Sequence, residues 1–320
     1  MRRRYQFELI QLIRNYFLEQ DFLDVLTPPA VENPGMEVHI HPFQLYSVKQ
    51  KYKKELYLHT SPEFCMKALL ADKSEALENI FTISYCFRDE PASPIHRPQF
   101  LMLEWYRKNE RYEKIMEDVT GLISYCLKQG EKKGLPVKTK FKKAQMVKKT
   151  MRELFLETIN VDILDCLEVD TIKTLLHTFP DVPVPKTELS WDDYFFLLFL
   201  NKVEPLLKNY PLLLIYEFPA PLRALSTIKH GDARVCERFE VYIEGVELCN
   251  CFNELTVSGE LKKRFSEQND EKQKLYHYQL PEPQNFYRVM DAGYPASAGI
   301  ALGVERLLIS LFELNNPFFD

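Results

Sequence analysis

Two glutamates within one hairpin, Glu240 and Glu247, are the first pair in this chain that could do chemistry. The run Arg238-Phe-Glu-Val-Tyr-Ile-Glu-Gly-Val-Glu-Leu-Cys-Asn-Cys-Phe252 reads as two strands turning at Glu244-Gly245. A two-residue turn sets Tyr242 opposite Glu247 and Glu240 opposite Cys249, so Glu240 and Glu247 lie diagonally on one face, which Cys251 shares. Carboxylates so placed repel unless a cation sits between them, and Mg²⁺ bridging to phosphate oxygens suits them. The other reading is a solvent-facing hairpin whose acids pair with lysines. Arg88, followed by Asp89 and Glu90 at a strand end, and Arg306 near the C-terminus offer planar guanidiniums suited to phosphate. Taken singly, each arginine also fits a surface ion pair.

These groups need elements to hold them. Phe7, Ile10, Ile13 and Phe17 recur at helical spacing, with Leu9, Leu12 and Tyr16 widening the apolar face, so residues 4–20 read as a buried helix. Phe22 to Val31 reads as a strand broken by Pro28-Pro29, and Glu55 to His59 as another strand. Ser61-Pro62-Glu63 has the form of a helix start, with the helix running to about Ala71. Ile80–Arg88 and Phe100–Tyr106 alternate with period two, which puts Arg88, Glu104 and Tyr106 on the mixed, wetter faces. The loop between them carries three prolines and is long for a hairpin, hence a candidate functional loop. Residues 150–210 read as helical, Leu212–Phe218 as a strand, and Ala298–Phe312 as a strand turning into an apolar helix with Arg306 in its first turn.

Composition narrows the functions available. Only 10 of the 320 residues are glycine, under half the usual share of about 7%. No G-x-G pair and no P-loop pattern occur, so phosphates must be held by side chains and metal in place of a glycine-rich cradle. Seven cysteines form no C-x-x-C, which suits a reduced cytoplasm, and Cys249 with Cys251 reads as strand, not metal site. The basic N-terminus lacks a continuous apolar core, so it reads as a helix where a signal peptide would be suspected. The longest apolar runs fall far short of the roughly 20 residues that span a bilayer, so no membrane association is expected. Residues 128–149 hold nine lysines and one glutamate within a chain of net charge -5. That segment reads as a solvated linker or as a docking site for an acidic partner.

In combination these pieces carry a resemblance. Glu19-Gln-Asp-Phe-Leu-Asp-Val-Leu-Thr-Pro-Pro29 resembles motif 1 of the class II aminoacyl-tRNA synthetases. Phe87-Arg-Asp-Glu90 with His96-Arg-Pro-Gln-Phe-Leu-Met-Leu-Glu-Trp-Tyr106 resembles motif 2, and Gly299-Ile-Ala-Leu-Gly-Val-Glu-Arg-Leu307 resembles motif 3. Thr60-Ser-Pro-Glu63 and Glu247-Leu-Cys-Asn-Cys-Phe-Asn-Glu-Leu-Thr256 are similar to the lysyl-tRNA synthetase branch. Within it, Glu104-Trp-Tyr, Phe239-Glu-Val-Tyr, Phe218-Pro-Ala and Ala301 in place of a motif 3 glycine look most like the protein-modifying paralogues that act on elongation factor P.

The resemblance implies an α+β fold, an antiparallel β-sheet flanked by helices. It would be a single catalytic domain over residues 1–320 with a helical insertion at about 128–210 and no N-terminal OB-fold for anticodon binding. It implies ATP and Mg²⁺, (R)-β-lysine or lysine as acyl donor, elongation factor P as acceptor, a homodimer built on motif 1, and no role for tRNA. Arg88 and Arg306 would be catalytic. Arg88, Asp89, Glu90, His96, Arg97, Phe100, Glu247, Leu248, Gly303 and Arg306 would bind ATP, and Glu240 and Glu247 would hold the metal. Ser61, Pro62, Glu63, Glu104, Tyr106, Asn250 and Glu254 would bind the amino acid. Several residues depart from the family wording. Gln99 and Glu305 stand where a glutamate and an aspartate are usual, Cys251 where a glycine is, and Pro91-Ala-Ser-Pro-Ile95 lacks the usual charges. A truncated synthetase that makes lysyl-adenylate or charges tRNA, and a non-catalytic binding module, are the rival readings.

Overall fold

The alternating stretches form long strands and the 3.6-periodic ones form helices. The computed structural model describes residues 2–49, 54–93 and 95–314; Pro94 of the proline-rich loop lies outside them. In chain order the elements are α1 (Arg2–Leu18), β1 (Leu23–Asp24), β2 (Ala30–Val31), β3 (Gln44–Leu45), β4 (Leu56–Leu58), α2 (Glu63–Ala71), β5 (Asn79–Phe87), β6 (Gln99–Lys108) and α3 (Tyr112–Lys132). Then follow β7 (Val147–Thr150), α4 (Met151–Ile159), α5 (Val169–Leu176), α6 (Trp191–Leu198), α7 (Glu204–Leu207) and β8 (Leu212–Pro219). The chain closes with β9 (Val235–Ile243), β10 (Val246–Asn253), α8 (Ser258–Tyr276), α9 (Gln284–Asp291), β11 (Ser297–Gly303) and α10 (Val304–Leu311). Contacts divide it into two compact units, residues 1–137 with 254–320, and residues 138–253.

In the first unit the strands run in the order β1-β5-β6-β11. The β5–β6 and β6–β11 pairs are antiparallel, as expected, whereas β1 joins β5 in parallel. Pro28-Pro29 separates β1 from β2, which belongs to a small antiparallel sheet ordered β2-β4-β3. One face of β5 and β6 is core: Phe17 of α1 stacks on Phe81 at 4.9 Å between ring centres, and Trp105 lies at 5.0 Å. Arg107 pairs with Asp118 of α3 at 2.7 Å, closing that face with a charge-assisted bond.

The buried stripe of α1 differs from expectation. Leu9, Leu12, Ile13, Tyr16 and Phe17 are buried, whereas Phe7 is 59% exposed and Gln6 is fully buried. The helix is turned about its axis relative to the predicted face, because it packs chiefly on α3, where Tyr16 Oη donates to the Asp118 carbonyl, and Phe7 and Ile10 fall to one side of the buried stripe.

The second unit orders its strands β7-β8-β9-β10, with β7–β8 parallel and the rest antiparallel. Its helices share a core in which Phe155, Trp191 and Phe195 stack. Capping boxes start α4, Thr150 with Glu153, and α6, Ser190 with Asp193, each satisfying orphan amides, and α5 has one from Glu168 and Thr171. The lysine-rich stretch is the end of α3, a 3₁₀ turn at Thr139–Lys143 and β7. Lys133 pairs with Glu8, Lys140 with Glu244 and Lys149 with Glu157, which accounts for three of its charges. Among the described residues the seven cysteines form no disulfide. No described helix is long and apolar enough to cross a membrane.

Candidate active site

A groove in the first unit follows from side-chain size along three paired strands. The second face of β6 presents Phe100, Met102, Glu104 and Tyr106, spanning about 20 Å at the usual rise per residue. Opposite them on β5 stand Cys86, Ser84, Thr82 and Ile80; on β11, Gly303, Ala301 and Gly299 face Met102, Glu104 and Tyr106. Mostly small residues on both flanks let the β6 side chains lie over the neighbouring strands. At Gly299 the fit is closest, since a Cβ there would lie 2.1 Å from Tyr106 Cε1 and 2.8 Å from Glu254 Oε1. At Gly303 an added Cβ would meet only the Arg306 stem, at 3.4 Å. The alternation predicted this face correctly but not its dryness. Glu104 and Tyr106 are 1% and 3% exposed, because α2 packs over β6 and encloses them.

One end of the groove is acidic. Lys67, one turn after Glu63 on α2, lies 2.6 Å from Glu63 Oε1 and 2.6 Å from Glu254 Oε2. Glu104 accepts a bond from Tyr106 Oη at 3.4 Å, and Tyr294 Oη accepts one from Ser297 Oγ at 2.8 Å nearby. Burial pushes the Glu104 carboxyl well above its ordinary range, with Glu63 adding to the effect. Burial also raises Glu254, to about 7, against the pull of Lys67. For Lys67, burial opposes the charge, but Glu254 and Glu63 outweigh it and hold the ammonium protonated. Ser61 and Pro62 lead into α2, where Ser61 Oγ accepts the Glu63 amide at 3.4 Å.

The other end is basic. Arg88 stands 5.2 Å over the Phe100 ring, and its buried Nε finds no hydrogen-bond partner among the described residues. Arg306 Nη2 donates to His96 Nε2 at 3.0 Å. A guanidinium can only donate, so Nε2 must accept, and the ring proton sits on Nδ1, 2.8 Å from Ser93 Oγ. Burial and Arg306 lower the His96 pKa, which favours that neutral ring. Arg97 bonds the His96 carbonyl at 2.9 Å and the Ser93 carbonyl, folding the loop back on itself. Glu305 accepts the Leu101 amide with both oxygens, at 2.8 and 3.0 Å, fixing the start of β6 against α10. Behind Arg88, the Asp89 amide donates to the His41 carbonyl at 2.8 Å. That segment is pinned by buried Lys272, whose Nζ donates to the Val38 and Ile40 carbonyls at 2.7 and 2.9 Å.

Glu240, Glu247, Leu248 and Asn250 belong to the second unit. Its hairpin turns at Glu244-Gly245 as predicted, both residues having positive φ. Beyond Glu247 the register differs from the prediction. A bulge falls between Glu247 and Cys249, so Glu240 stands opposite Asn250 and Cys251 opposite Phe239. The extra residue, Leu248, inverts the alternation. Cys249 and Cys251 are therefore buried on the face away from Glu240 and Glu247, and the expected place of the Cys251 thiol beside the acids is overturned. Arg238 donates to Glu240 Oε1 and to Asn250 Oδ1, and Tyr242 Oη donates to Glu240 Oε2 at 2.7 Å.

The family model for class II tRNA synthetases (D, K and N) matches residues 2–316. The chain belongs to the class II aminoacyl-tRNA synthetases. Among curated relatives, the elongation factor P–(R)-β-lysine ligase of Vibrio cholerae serotype O1 is 32% identical over 303 residues, covering 94% of this chain and 88% of the relative. The ligase of the same name from Proteus mirabilis is 34% identical over 304 residues, with the same shares. The stretch that resembles motif 1 follows α1 and contains β1, the one that resembles motif 2 runs from the end of β5 into β6, and the one that resembles motif 3 spans β11 and the start of α10.

Sequence reasoning missed Lys67, Tyr294, Arg238 and Lys272. Glu63 and Lys67 at i and i+4 on a helix were a readable ion-pair signal. The others reach their partners through the tertiary fold and leave no local trace.

Proposed function

We propose that this chain is an ATP-dependent ligase that activates (R)-β-lysine, or lysine, as an aminoacyl-adenylate. It then transfers the acyl group to the ε-amino group of a lysine on elongation factor P. The observation that carries this reading is the opposed charge at the two ends of one groove, buried carboxylates around Tyr106 and guanidiniums around Phe100. Such a groove suits a substrate with ammonium groups at one end and a carboxylate that must meet a phosphate at the other. The names of the relatives supply the acceptor and the amino acid.

Glu254 and Tyr106 would receive the side-chain ammonium, and Glu63 and Glu104 the amino group near the carboxyl end. The substrate carboxylate attacks the α-phosphorus and pyrophosphate leaves. Arg88 and Arg306 stabilise the charge that develops, so alignment and electrostatics do the work without a protein nucleophile. The acceptor amine, deprotonated, then attacks the acyl carbon, forming the amide and releasing AMP. The adenine would stack at Phe100, beside Gly303, with Glu90, His96 and Arg97 around the phosphates.

The hairpin acids fit Mg²⁺. Each oxygen of Glu240 accepts one bond, from Arg238 and from Tyr242, which leaves a lone pair on each, and Glu247 shares the face. A bound Mg²⁺ would neutralise phosphate charge there. Ala301 stands directly opposite Glu104, so its methyl group bears on the carboxylate proposed to read the amino group. The exposed Phe7 on α1 supports a homodimer through motif 1.

The test is to incubate the protein with ATP, Mg²⁺ and either (R)-β-lysine or lysine, offering elongation factor P or tRNA, and to weigh the products. A mass gain on elongation factor P is expected. Charged tRNA with unmodified elongation factor P would overturn the proposal.

A further inference from the structure

Two buried carboxylates, Glu104 and Glu254, a third on the half-buried Glu63, and the buried ammonium of Lys67 share the acidic end of the groove. Glu63, Glu104 and Glu254 carry three negative charges, and Lys67 neutralises one while touching two of them. Facing Lys67 are Glu63 on its own helix, Glu254 after β10, Glu104 and Tyr106 on β6, Tyr294 before β11, and the Phe286 ring of α9 at 6.0 Å. Tyr106 and Tyr294 have phenol pKa values raised by burial and stay neutral. Glu37, which burial and the Glu63 charge both push up, lies outside this set and in the field of Arg88. The enclosed set thus carries two uncompensated negative charges when ionised, and a dry site holds such charge only at high cost.

Resting on the function proposed above, we infer that Lys67 is a specificity-determining residue, setting the pocket charge so that an amino acid with two ammonium groups neutralises it. A ligand with one ammonium leaves a buried carboxylate to take up a proton. Without Lys67 even a doubly cationic ligand leaves one charge over. Lys67 also ties Glu63 to Glu254, so the two ammonium subsites are held at a fixed separation.

The experiment is equilibrium binding of lysine and of norleucine, which lacks the second ammonium, followed by calorimetry from pH 5.5 to 9. It uses the full chain with Lys67 unchanged and with Lys67→Gln and Lys67→Arg. In the unchanged chain, lysine should bind at least about tenfold more tightly than norleucine and lose affinity as the carboxylates protonate. In Lys67→Gln, which keeps donors but no charge, the pH at which lysine binding fails should rise by about one unit. Lys67→Arg should leave that pH in place. A lowered affinity with an unmoved limb in Lys67→Gln would show a merely structural role and overturn the inference. Should the Gln variant lack a cooperative thermal transition, a displaced limb in a folded Lys67→Arg overturns it instead. Binding without amino-acid-dependent pyrophosphate exchange would sink the proposed activity but leave the charge count standing.

Discussion

The two ends of β6 use the same strand geometry for opposite electrostatics. At Glu104 and Tyr106 the side chains are almost wholly enclosed, and burial drives the acids toward protonation until a cation arrives. At Phe100 and Arg88 the groove is more open, and the guanidiniums are held by an aromatic ring, a neutral histidine and loop carbonyls. The lesson is that burial tunes the acidic end, whereas the basic end relies on where its planar guanidiniums are placed. The first should be sensitive to pH and to small changes of shape, the second mainly to loss of charge.

Breaking the basic end should have the largest effect. Arg306→Ala removes the His96 contact and one of the two guanidiniums proposed to stabilise charge, and amino-acid-dependent pyrophosphate exchange should fall about 10²- to 10³-fold. A comparable fall in kcat at saturating ATP would place its role in the transition state, whereas a change confined to the ATP KM would reduce it to binding. Glu104→Gln should act on the other substrate alone, raising the KM for the amino acid by roughly ten- to a hundredfold with the KM for ATP unmoved. An equal rise for both would erase the distinction between the ends.

Gly299→Ala probes shape without charge. The new methyl group must displace Tyr106, and a cost of about 1–3 kcal/mol in denaturant unfolding is expected, together with weaker amino-acid binding. A wild-type midpoint would mean that the floor of the groove yields easily. The smallest effect concerns Glu305, which burial raises from the ordinary 4.5 to about 7. The native chain then binds more protons than the unfolded one across that window, so the contribution present below pH 4.5 is lost as pH rises through 7. Glu305→Gln should flatten the stability profile over that interval, measured by urea midpoints, and an unchanged slope would assign it elsewhere.

Much of this was legible in the residues. Period two fixed β5 and β6 and the side on which Glu104, Tyr106 and Arg88 would lie, and Ser61-Pro62-Glu63 marked the start of α2. What pattern could not convey was enclosure. Glu104 sits among alternating neighbours like any half-wet acid, and only α2, distant in sequence, makes it dry. On α1, nine apolar residues cover most of the helix, so periodicity alone did not choose between Phe7 and Leu9 for the interior. The bulge at Leu248 was invisible for a related reason, since an inserted leucine in an apolar strand leaves composition and hydropathy untouched.

That bulge makes β10 behave like a text with a frameshift. Residues before Leu248 and after it are read in different phases, which lets Glu247 and Asn250, three positions apart, share a face that an even count would demand. Deleting Leu248 would join Glu247, paired with Tyr242, directly to Cys249, paired with Val241, so the ladder would close while the acids and the thiols kept their opposite faces. Flattening the bulge with Leu248 still in place is what would turn one half of the strand inside out, so the extra letter is tolerated only as long as it stays unread.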